Sequence, residues 1–208
     1  MSEIFAIHPD NPQARLLRKA ASIIADGGII VYPTDSGYAL GCKLGNKKGL
    51  ERIRHLRQLD KMHNMTLICR DLSELSRYAK VTNPIFRLLK AFTPGPYTFI
   101  LNGSPQVARL MLHPKKKTLG LRVPDHAICL ALLETLEEPI MSSTLILPDA
   151  EAPLSEPDAI MDLLGKQVDL IINGGNCCNE PTTIVDLTAE FPNITRVGKG
   201  DPEPFLIC

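Results

Sequence analysis

Short apolar runs alternate with helix-like segments along most of the chain, and this alternation restricts the fold more than any other feature. A helix-like segment at 10–28 leads into an apolar strand at 29–32, and a second helix at about 47–59 precedes a strand at 65–69. Early alternation of helix and strand, followed by short strand-to-strand connections, is typical of an α/β domain with a mixed sheet. We therefore predict a single α/β domain over residues 1–208.

One proline-rich, acidic segment interrupts this pattern without marking a domain boundary. The sequence PDAEAPLSEPDA begins at residue 148, and strand-like segments resume after it. We interpret about 148–158 as a surface loop within the single domain.

The overall composition limits the classes of protein to which this chain can belong. The 208 residues are 44% hydrophobic, which is enough for a sizeable core without disulfides. Lysine plus arginine and aspartate plus glutamate number 23 each, so any affinity for nucleic acid must come from a local patch. The N-terminal sequence MSEIFAIHPD lacks a basic region, and no segment has about 18 consecutive apolar residues. We expect a cytoplasmic protein without membrane contact.

The six cysteines form no C-x-x-C pair and have no histidine at zinc-finger spacing. We therefore predict neither a protein-bound metal nor a disulfide framework. The adjacent residues Cys177 and Cys178 are interpreted as reduced thiols, with a reactive pair as the alternative.

A polar stretch follows the first long apolar strand. Residues 33–41 read PTDSGYALG, in which Thr34 and Ser36 offer hydroxyls and Gly37 allows close backbone approach to a ligand. Ligands of α/β sheets gather where loops leave the strand ends, which favours a ligand-binding loop here. The alternative is a tight turn in which Thr34 and Asp35 cap their own backbone.

Basic residues form two further candidate anion sites. Arg54, Arg57 and Lys61 are spaced to share one face of a helix and its end. Such a face would suit a triphosphate, because one arginine guanidinium can donate to two phosphate oxygens at once. The alternative is a basic helix surface exposed to solvent. The run KKK at 115–117 is interpreted as an exposed loop or as a source of diffuse attraction for RNA.

Two arginines lie within apolar strand-like segments. Arg122 occurs in TLGLRVP and Arg196 in ITRVG. A charge inside a strand needs a partner if it is buried. Each is therefore either an ion-paired structural arginine or an anion ligand.

Six ordered blocks of the sequence are YPTDSGYALGC (32–42), TPGPYTFIL (93–101), TLGLRVPDH (118–126), VDLIINGG (168–175), PTTIVDL (181–187) and ITRVG (194–198). Together they resemble the YrdC/YciO family of threonylcarbamoyl-adenylate synthase-like proteins. The segment at 57–76 is most similar to the YciO branch. The resemblance implies a twisted open sheet with flanking helices and a concave, positively charged pocket.

The resemblance also implies an activity. Synthases of this family combine L-threonine, bicarbonate and ATP into threonylcarbamoyl-AMP and pyrophosphate, the first step towards the t6A modification of tRNA. Mg²⁺ is carried by the ATP phosphates, and no covalent nucleophile is needed. Such a transfer requires mainly positioning and charge stabilisation from the protein.

The family motifs map onto individual residues of this chain. On the L-threonine side they imply Ser36, Cys69, Thr118, Arg122 and Thr182. On the ATP side they imply Arg54, His55, Arg57, Asn64, Thr144 and Arg196. Arg57 matches the arginine of the K-x-R motif and is the expected catalytic residue facing the ATP phosphates. Arg122 is expected to hold the threonine carboxylate.

Three positions depart from the family pattern. His55 replaces the lysine of K-x-R, Ile146 replaces the asparagine of S-x-N, and Cys69 stands where many synthases have a histidine. A polar group that recognises a ligand is worth orders of magnitude in discrimination or rate, so we expect slow synthase activity. The alternatives are a non-catalytic paralogue that binds double-stranded or structured RNA such as tRNA, and an adenylate-forming enzyme for another small acid or amine.

Overall fold

The computed structural model describes residues 2–60, 62–105, 107, 112–148 and 150–206. Ten strands and six α-helices occur within these ranges. In chain order they are β1 (Glu3–Ala6), α1 (Ala14–Ala25), β2 (Ile29–Thr34), β3 (Gly37–Lys43), α2 (Lys47–Arg57), β4 (Thr66–Ile68), α3 (Leu72–Tyr78), α4 (Asn83–Phe92), β5 (Tyr97–Asn102), β6 (Thr118–Arg122), α5 (Ala127–Leu136), β7 (Ile140–Thr144), α6 (Pro157–Leu164), β8 (Leu170–Asn173), β9 (Thr183–Asp186) and β10 (Asn193–Arg196).

All ten strands join one open sheet in the order β1-β8-β2-β3-β7-β4-β6-β5-β9-β10. Strand pairs β1–β8, β2–β8, β4–β6 and β5–β9 are parallel. The other five pairs are antiparallel. The predicted α/β class with an open mixed sheet and flanking helices is confirmed.

The stretch predicted as a polar loop at 33–41 is instead part of a β-hairpin. Strand β2 continues to Thr34, and β3 begins at Gly37 in antiparallel register with it. Gly37 has φ +114°, a conformation that favours glycine, and this allows the two-residue connection. The Thr34 hydroxyl donates to the Gly37 carbonyl (2.6 Å) and accepts from the Ser36 amide (3.2 Å). The connection is therefore limited to Asp35 and Ser36, whereas the sequence predicted a loop over the whole stretch. The alternative of a tight turn is observed with Thr34 as the capping residue, but among the described residues Asp35 does not cap its own backbone and pairs with Arg122.

Helices cover the two faces of the sheet unequally. One face packs on α2, α3, α4 and α6 through buried side chains such as Leu50, Leu75, Leu89 and Ile160. The other face packs on α1 and α5, where Leu17 and Leu132 contact a second apolar cluster.

The second face changes from apolar to polar along each central strand. Because alternate residues of a strand face the same side, Ile30, Tyr32 and Thr34 share one face of β2. On β7, which is separated from β2 by β3, the corresponding series is Ile140, Ser142 and Thr144. The isoleucines belong to the apolar cluster under α1 and α5. Beyond these helices the strands present hydroxyls, and this part of the face forms the floor of a cleft.

The segment before α6 has neither helix nor strand in its described part, residues 145–148 and 150–156. Among the described residues, no helix combines the length and apolar character needed to cross a bilayer.

Candidate functional site

A cleft of about 380 Å³ opens over the helix-free part of the sheet. Strands β4 to β7, β9 and β10 supply its floor, and residues after α2 and before β6 supply its walls. The lining residues are Arg57, Met62, His63, Asn64, Thr66, Thr98, Ile100, Lys116, Thr118, Gly120, Ser143, Thr144, Ile146, Thr182, Ile184, Asp186, Thr195 and Arg196. Of the residues predicted for ATP or threonine, the cleft brings together Arg57, Asn64, Thr118, Thr144, Thr182 and Arg196.

Hydroxyl groups from several strands form the floor of this cleft. The hydroxyls of Thr98 and Thr182 are hydrogen-bonded at 2.9 Å, and the Thr118 hydroxyl donates to the Asn64 side chain at 3.4 Å. Thr98, Thr118 and Thr182 are all buried. Hydroxyls can donate and accept, so such a floor suits a polar ligand rich in oxygen.

Arg57 and Arg196 contribute two cationic groups to the cleft. Arg57, the last residue of α2, donates to the Thr144 carbonyl and weakly to the Ser143 hydroxyl (3.4 Å). Its Nε is buried without a hydrogen-bond partner. Arg196 donates through Nε and Nη2 to the Thr182 carbonyl at 3.0 and 2.8 Å. Neither guanidinium forms an ion pair with a carboxylate in the described part of the chain.

This arrangement leaves positive charge without a counter-ion. Burial and the nearby Arg196 lower the pKa of Arg57 to about 10, and burial and Arg122 lower the pKa of Arg196. The arginines remain charged at neutral pH, but they repel one another. A bound anion would relieve both the desolvation and the repulsion.

Arg122 differs from Arg57 and Arg196 because it has a carboxylate partner within the protein. Its Nη2 forms an ion pair with Asp35 in the hairpin turn, and its Nη1 donates to the Ser36 hydroxyl at 2.8 Å. The side chains of Arg122 and Asp35 are 5% and 10% exposed. Of the two alternatives raised by the sequence, the structure shows the ion-paired arginine. Ser36 and Arg122, which were both predicted on the L-threonine side, therefore contact each other directly.

The region around Arg122 nevertheless retains unused polar atoms. Arg122 Nε and Asp35 Oδ2 are buried without hydrogen-bond partners. Arg122, Thr34 and Ser142 line a recess of about 20 Å³, which shares Thr66, Thr98, Ser143 and Thr144 with the main cleft. This volume holds about one water molecule, so a larger ligand requires the recess to open.

Five predicted site residues lie outside the cleft lining, namely Ser36 and Arg122, described above, and Arg54, His55 and Cys69. Arg54 forms an ion pair with Glu51 at 3.0 Å. His55 is exposed on the outer side of α2, in a hollow shared with Lys48 and Arg52. Neither side chain lines the cleft, although the charge of Arg54 is close enough to His63 to act on its pKa. The predicted phosphate role of the H-x-R histidine therefore has no support from its position.

Cys69 is also absent from the cleft lining. It is fully buried, its amide donates to the Arg122 carbonyl at 2.8 Å, and burial raises the pKa of its thiol. Its backbone therefore lies beside the strand that carries Arg122, and its side chain belongs to the apolar cluster packed on α2, α3, α4 and α6. Lys61, which was predicted to extend the basic face of α2, lies outside the described residues.

Sequence reasoning missed two ionisable residues of the cleft. Asp186 lies two positions after Ile184 on β9, so alternation along the strand could have found it. His63 lies between α2 and β4, where no periodic pattern exists to reveal its direction. Burial and the charge of Arg57 lower the pKa of His63.

The lysine run at 115–117 has a defined conformation at the edge of this site. His113 is buried, and its Nδ1 accepts from the amides of Lys115 (3.2 Å) and Lys116 (3.0 Å). All three lysines are exposed, as predicted, and Lys116 also lines the cleft.

Comparison with known proteins agrees with the fold and with the family resemblance. YciO of Escherichia coli K12 is 56% identical over 206 residues, covering 99% of this chain and all of YciO. The crystal structure of E. coli YciO superimposes with a TM-score of 0.96 over 99% of this chain and 100% of that one.

Two more distant structures share the fold at lower identity. Sua5 of P. abyssi, crystallised with L-threonine, has a TM-score of 0.89 at 24% identity; the match covers 98% of this chain and 59% of Sua5. A full-length HypF in a phosphate- and nucleotide-bound form has a TM-score of 0.74 at 17% identity, over 90% of this chain and 29% of HypF. At these identities the likeness establishes the fold alone.

The family model agrees with these relatives. Residues 22–198 match the model of the Sua5, YciO and YrdC family, which is described by the words "Telomere recombination". The chain therefore belongs to the Sua5, YciO and YrdC family, and its full-length similarity to YciO confirms the predicted YciO branch.

Proposed function

We propose that the cleft binds ATP, with its phosphates between Arg57 and Arg196, and that the protein is a divergent threonylcarbamoyl-AMP synthase. The observation that carries this proposal is the presence of two half-buried guanidiniums that form no ion pair with a described carboxylate. A triphosphate supplies the missing negative charge, and the surrounding threonine hydroxyls supply hydrogen bonds to its oxygens.

The distant relatives supply candidate ligands for the same fold. Sua5 was crystallised with L-threonine, and HypF with phosphate and nucleotide. Mg²⁺ would enter with the ATP phosphates. One described carboxylate, Asp186, lines the cleft, so phosphates and water would supply most of the ligands that Mg²⁺ prefers.

The proposed reaction uses the cleft for positioning and charge stabilisation. The threonine amine adds to CO₂ from bicarbonate, giving a carbamate and releasing a proton. A carbamate oxygen then attacks the α-phosphorus of ATP, and the bond to pyrophosphate breaks. Arg57 and Arg196 stabilise the charge on the phosphoryl oxygens. Ile146 provides no amide to hold the reactants, so we expect the reaction to be slow.

The test is incubation with α-labelled ATP, Mg²⁺, bicarbonate and L-threonine, followed by separation of labelled threonylcarbamoyl-AMP. We expect product only when all three substrates are present, and at least a tenfold loss in Arg57→Ala. Absence of product despite measurable ATP binding would overturn the synthase assignment and retain the nucleotide site.

A second candidate is an adenylate-forming reaction with a smaller acid or amine. The observation that favours it is the recess of about 20 Å³ beside Arg122, whose ion pair with Asp35 leaves little room for a threonine side chain. In the same assay, labelled product with a smaller acceptor and none with threonine would select this candidate.

A third candidate is binding of double-stranded or structured RNA. The exposed run Lys115–Lys117 at the edge of the cleft favours it. RNA binding through this surface would weaken steeply with salt, and reversal of the three lysine charges would reduce that slope. A slope that is flat, or unchanged by charge reversal, would exclude it.

A further inference from the structure

His63 lines the same cleft as Arg57 and Arg196, which form no ion pair with a carboxylate among the described residues. It lies in the segment between α2 and β4, and Arg57, Arg196 and Lys116 line the same cleft. The residue is exposed, and its imidazole makes no hydrogen bond within the described part of the chain. Its ring nitrogens are therefore available to a ligand that occupies the cleft.

The charges that face this imidazole come from three elements. Arg54 and Arg57 lie on α2, Asp60 lies in the segment after α2, and Arg196 lies on β10. The more distant cleft lining adds Lys116 and Asp186. Among the nearer groups, three guanidiniums oppose one carboxylate.

These surroundings favour the neutral imidazole. Although the residue as a whole is exposed, partial desolvation of the imidazole by the surrounding protein is the largest influence and lowers the pKa of His63; Arg57, Arg196 and Arg54 lower it further, while Asp60 raises it. Since an unperturbed histidine has a pKa near 6.5, a lowered value leaves most of the imidazole uncharged at pH 7.

A triphosphate between Arg57 and Arg196 would reverse this balance. It brings several negative charges to a region where three guanidiniums now oppose one nearby carboxylate, so the protonated imidazole becomes favourable. Proton binding and anion binding then strengthen each other, because coupling between two binding equilibria is reciprocal.

We propose that His63 is a third ligand of the phosphate chain and binds it in the protonated form, so that nucleotide binding takes up a proton. This inference depends on the proposed nucleotide site. It assigns His63, and not the sequence-predicted His55, as the histidine that contacts phosphate.

The proposal gives a defined pH dependence. Stabilisation by His63 is present at low pH and is lost as the pH rises through the pKa of the liganded imidazole. The affinity advantage of the wild type over His63→Gln should fall by about tenfold between pH 6 and pH 8, within the limit of tenfold per pH unit for one proton.

Calorimetric titration with Mg-ATP at pH 7, in PIPES and in imidazole buffers, measures the protons exchanged on binding. ATP has a phosphate proton that titrates in the same range, so the informative quantity is the difference between wild type and His63→Gln. The matched control is His8→Gln, which removes an exposed imidazole that does not line the cleft. His63→Arg supplies a permanent charge, and should restore affinity while removing the extra proton uptake.

We expect the wild type and His8→Gln to take up the same fraction of a proton, and His63→Gln and His63→Arg to take up less. Equal proton uptake by wild type and His63→Gln, with ATP still bound, would overturn the inference and leave the nucleotide site intact. Failure of the wild type to bind ATP or inorganic pyrophosphate would overturn both the site and the inference.

Discussion

At the scale of single residues, the arginines of this protein differ in what faces them. Arg122 is paired with Asp35, whereas Arg57 and Arg196 donate only to hydroxyls and backbone carbonyls among the described residues. An arginine with an internal partner contributes to stability, and one without such a partner is available to a ligand. The two kinds of arginine therefore require different experiments.

Replacement of Arg57 should weaken ATP binding without unfolding the protein. Hydrogen bonds to a charged group contribute about 1.5–3 kcal/mol, so we expect Arg57→Ala to raise the Kd for ATP by about tenfold to a hundredfold. His55→Ala should change the Kd by less than about twofold, since His55 lies on the outer face of α2. Calorimetric titration of both variants measures this contrast, and an equal loss in the two would contradict the placement of the phosphates.

Replacement of Arg122 should instead destabilise the fold. Removing one partner of a buried ion pair leaves an uncompensated charge and costs about 3–5 kcal/mol. We expect the free energy of unfolding of Arg122→Met, measured with urea, to be lower than that of the wild type by this amount. The double variant Asp35→Ala/Arg122→Met should be less destabilised than the sum of the single variants, because the unpaired carboxylate is also removed. Additive losses would show that the ion pair contributes no coupling energy.

At the scale of the elements, the β2–β3 hairpin depends on one glycine. A Cβ at Gly37 would lie 2.8 Å from Pro153 Cβ and 3.0 Å from the Cys178 carbonyl oxygen, at φ +114°. Gly45 also has positive φ, +78°, but a Cβ there would meet nothing within 4 Å.

We expect Gly37→Ala to lower the free energy of unfolding by more than Gly45→Ala. Both carry the strain of positive φ, about 1 kcal/mol, and Gly37→Ala adds a steric clash with backbone and proline. Urea unfolding of the two variants separates the cost of the positive φ, which both carry, from the cost of the steric clash at Gly37. Equal losses would show that the loop carrying Cys178 moves aside at no cost.

Cys177 lies partly buried in the loop at 174–182, between β8 and β9. Burial is the largest influence and raises the pKa of the Cys177 thiol to about 11. We therefore expect slow alkylation of Cys177 at pH 7–8 and a rate that rises with pH up to about 11, since the thiolate is the nucleophile. Mass spectrometry of the Cys178→Ser variant after iodoacetamide treatment measures this rate. Fast, pH-independent labelling would contradict the buried, neutral thiol.

The sequence predicts the elements better than it predicts the site. Hydrophobic periodicity identified strand 29–32 and the helix ending near Arg57, because burial of one face depends on local spacing. It missed β3, because GYALGCK is buried on both faces and has no alternation to detect. The positions of His55 and His63 depend on where α2 ends and how the following segment turns, which periodicity does not specify.

At the scale of the whole molecule, the net charge is zero, but the cleft lining has a local excess of positive charge, with Arg57, Lys116 and Arg196 against one described carboxylate, Asp186. We expect a ligand bound there to stabilise the fold, because the floor joins six consecutive strands of the sheet, β7-β4-β6-β5-β9-β10. At a free ATP concentration of 100 times Kd, binding contributes about 2.7 kcal/mol. For a domain of this size that corresponds to an increase in Tm of about 5–10 °C.

Thermal unfolding with and without Mg-ATP tests this coupling. We expect Mg-ATP to raise the Tm of the wild type by this amount, and to raise the Tm of Arg57→Ala much less at the same ATP concentration. An increase of the same size in both proteins would show that ATP stabilises the fold from another surface.

The most direct test of the nucleotide site is a crystal structure of the protein with Mg-ATP. We predict density for the triphosphate in the cleft, with phosphate oxygens in hydrogen-bond contact with Arg57 and Arg196. Density for the nucleotide elsewhere, such as the hollow beside Lys48 and Arg52, or an empty cleft at millimolar ATP, would contradict the proposed site.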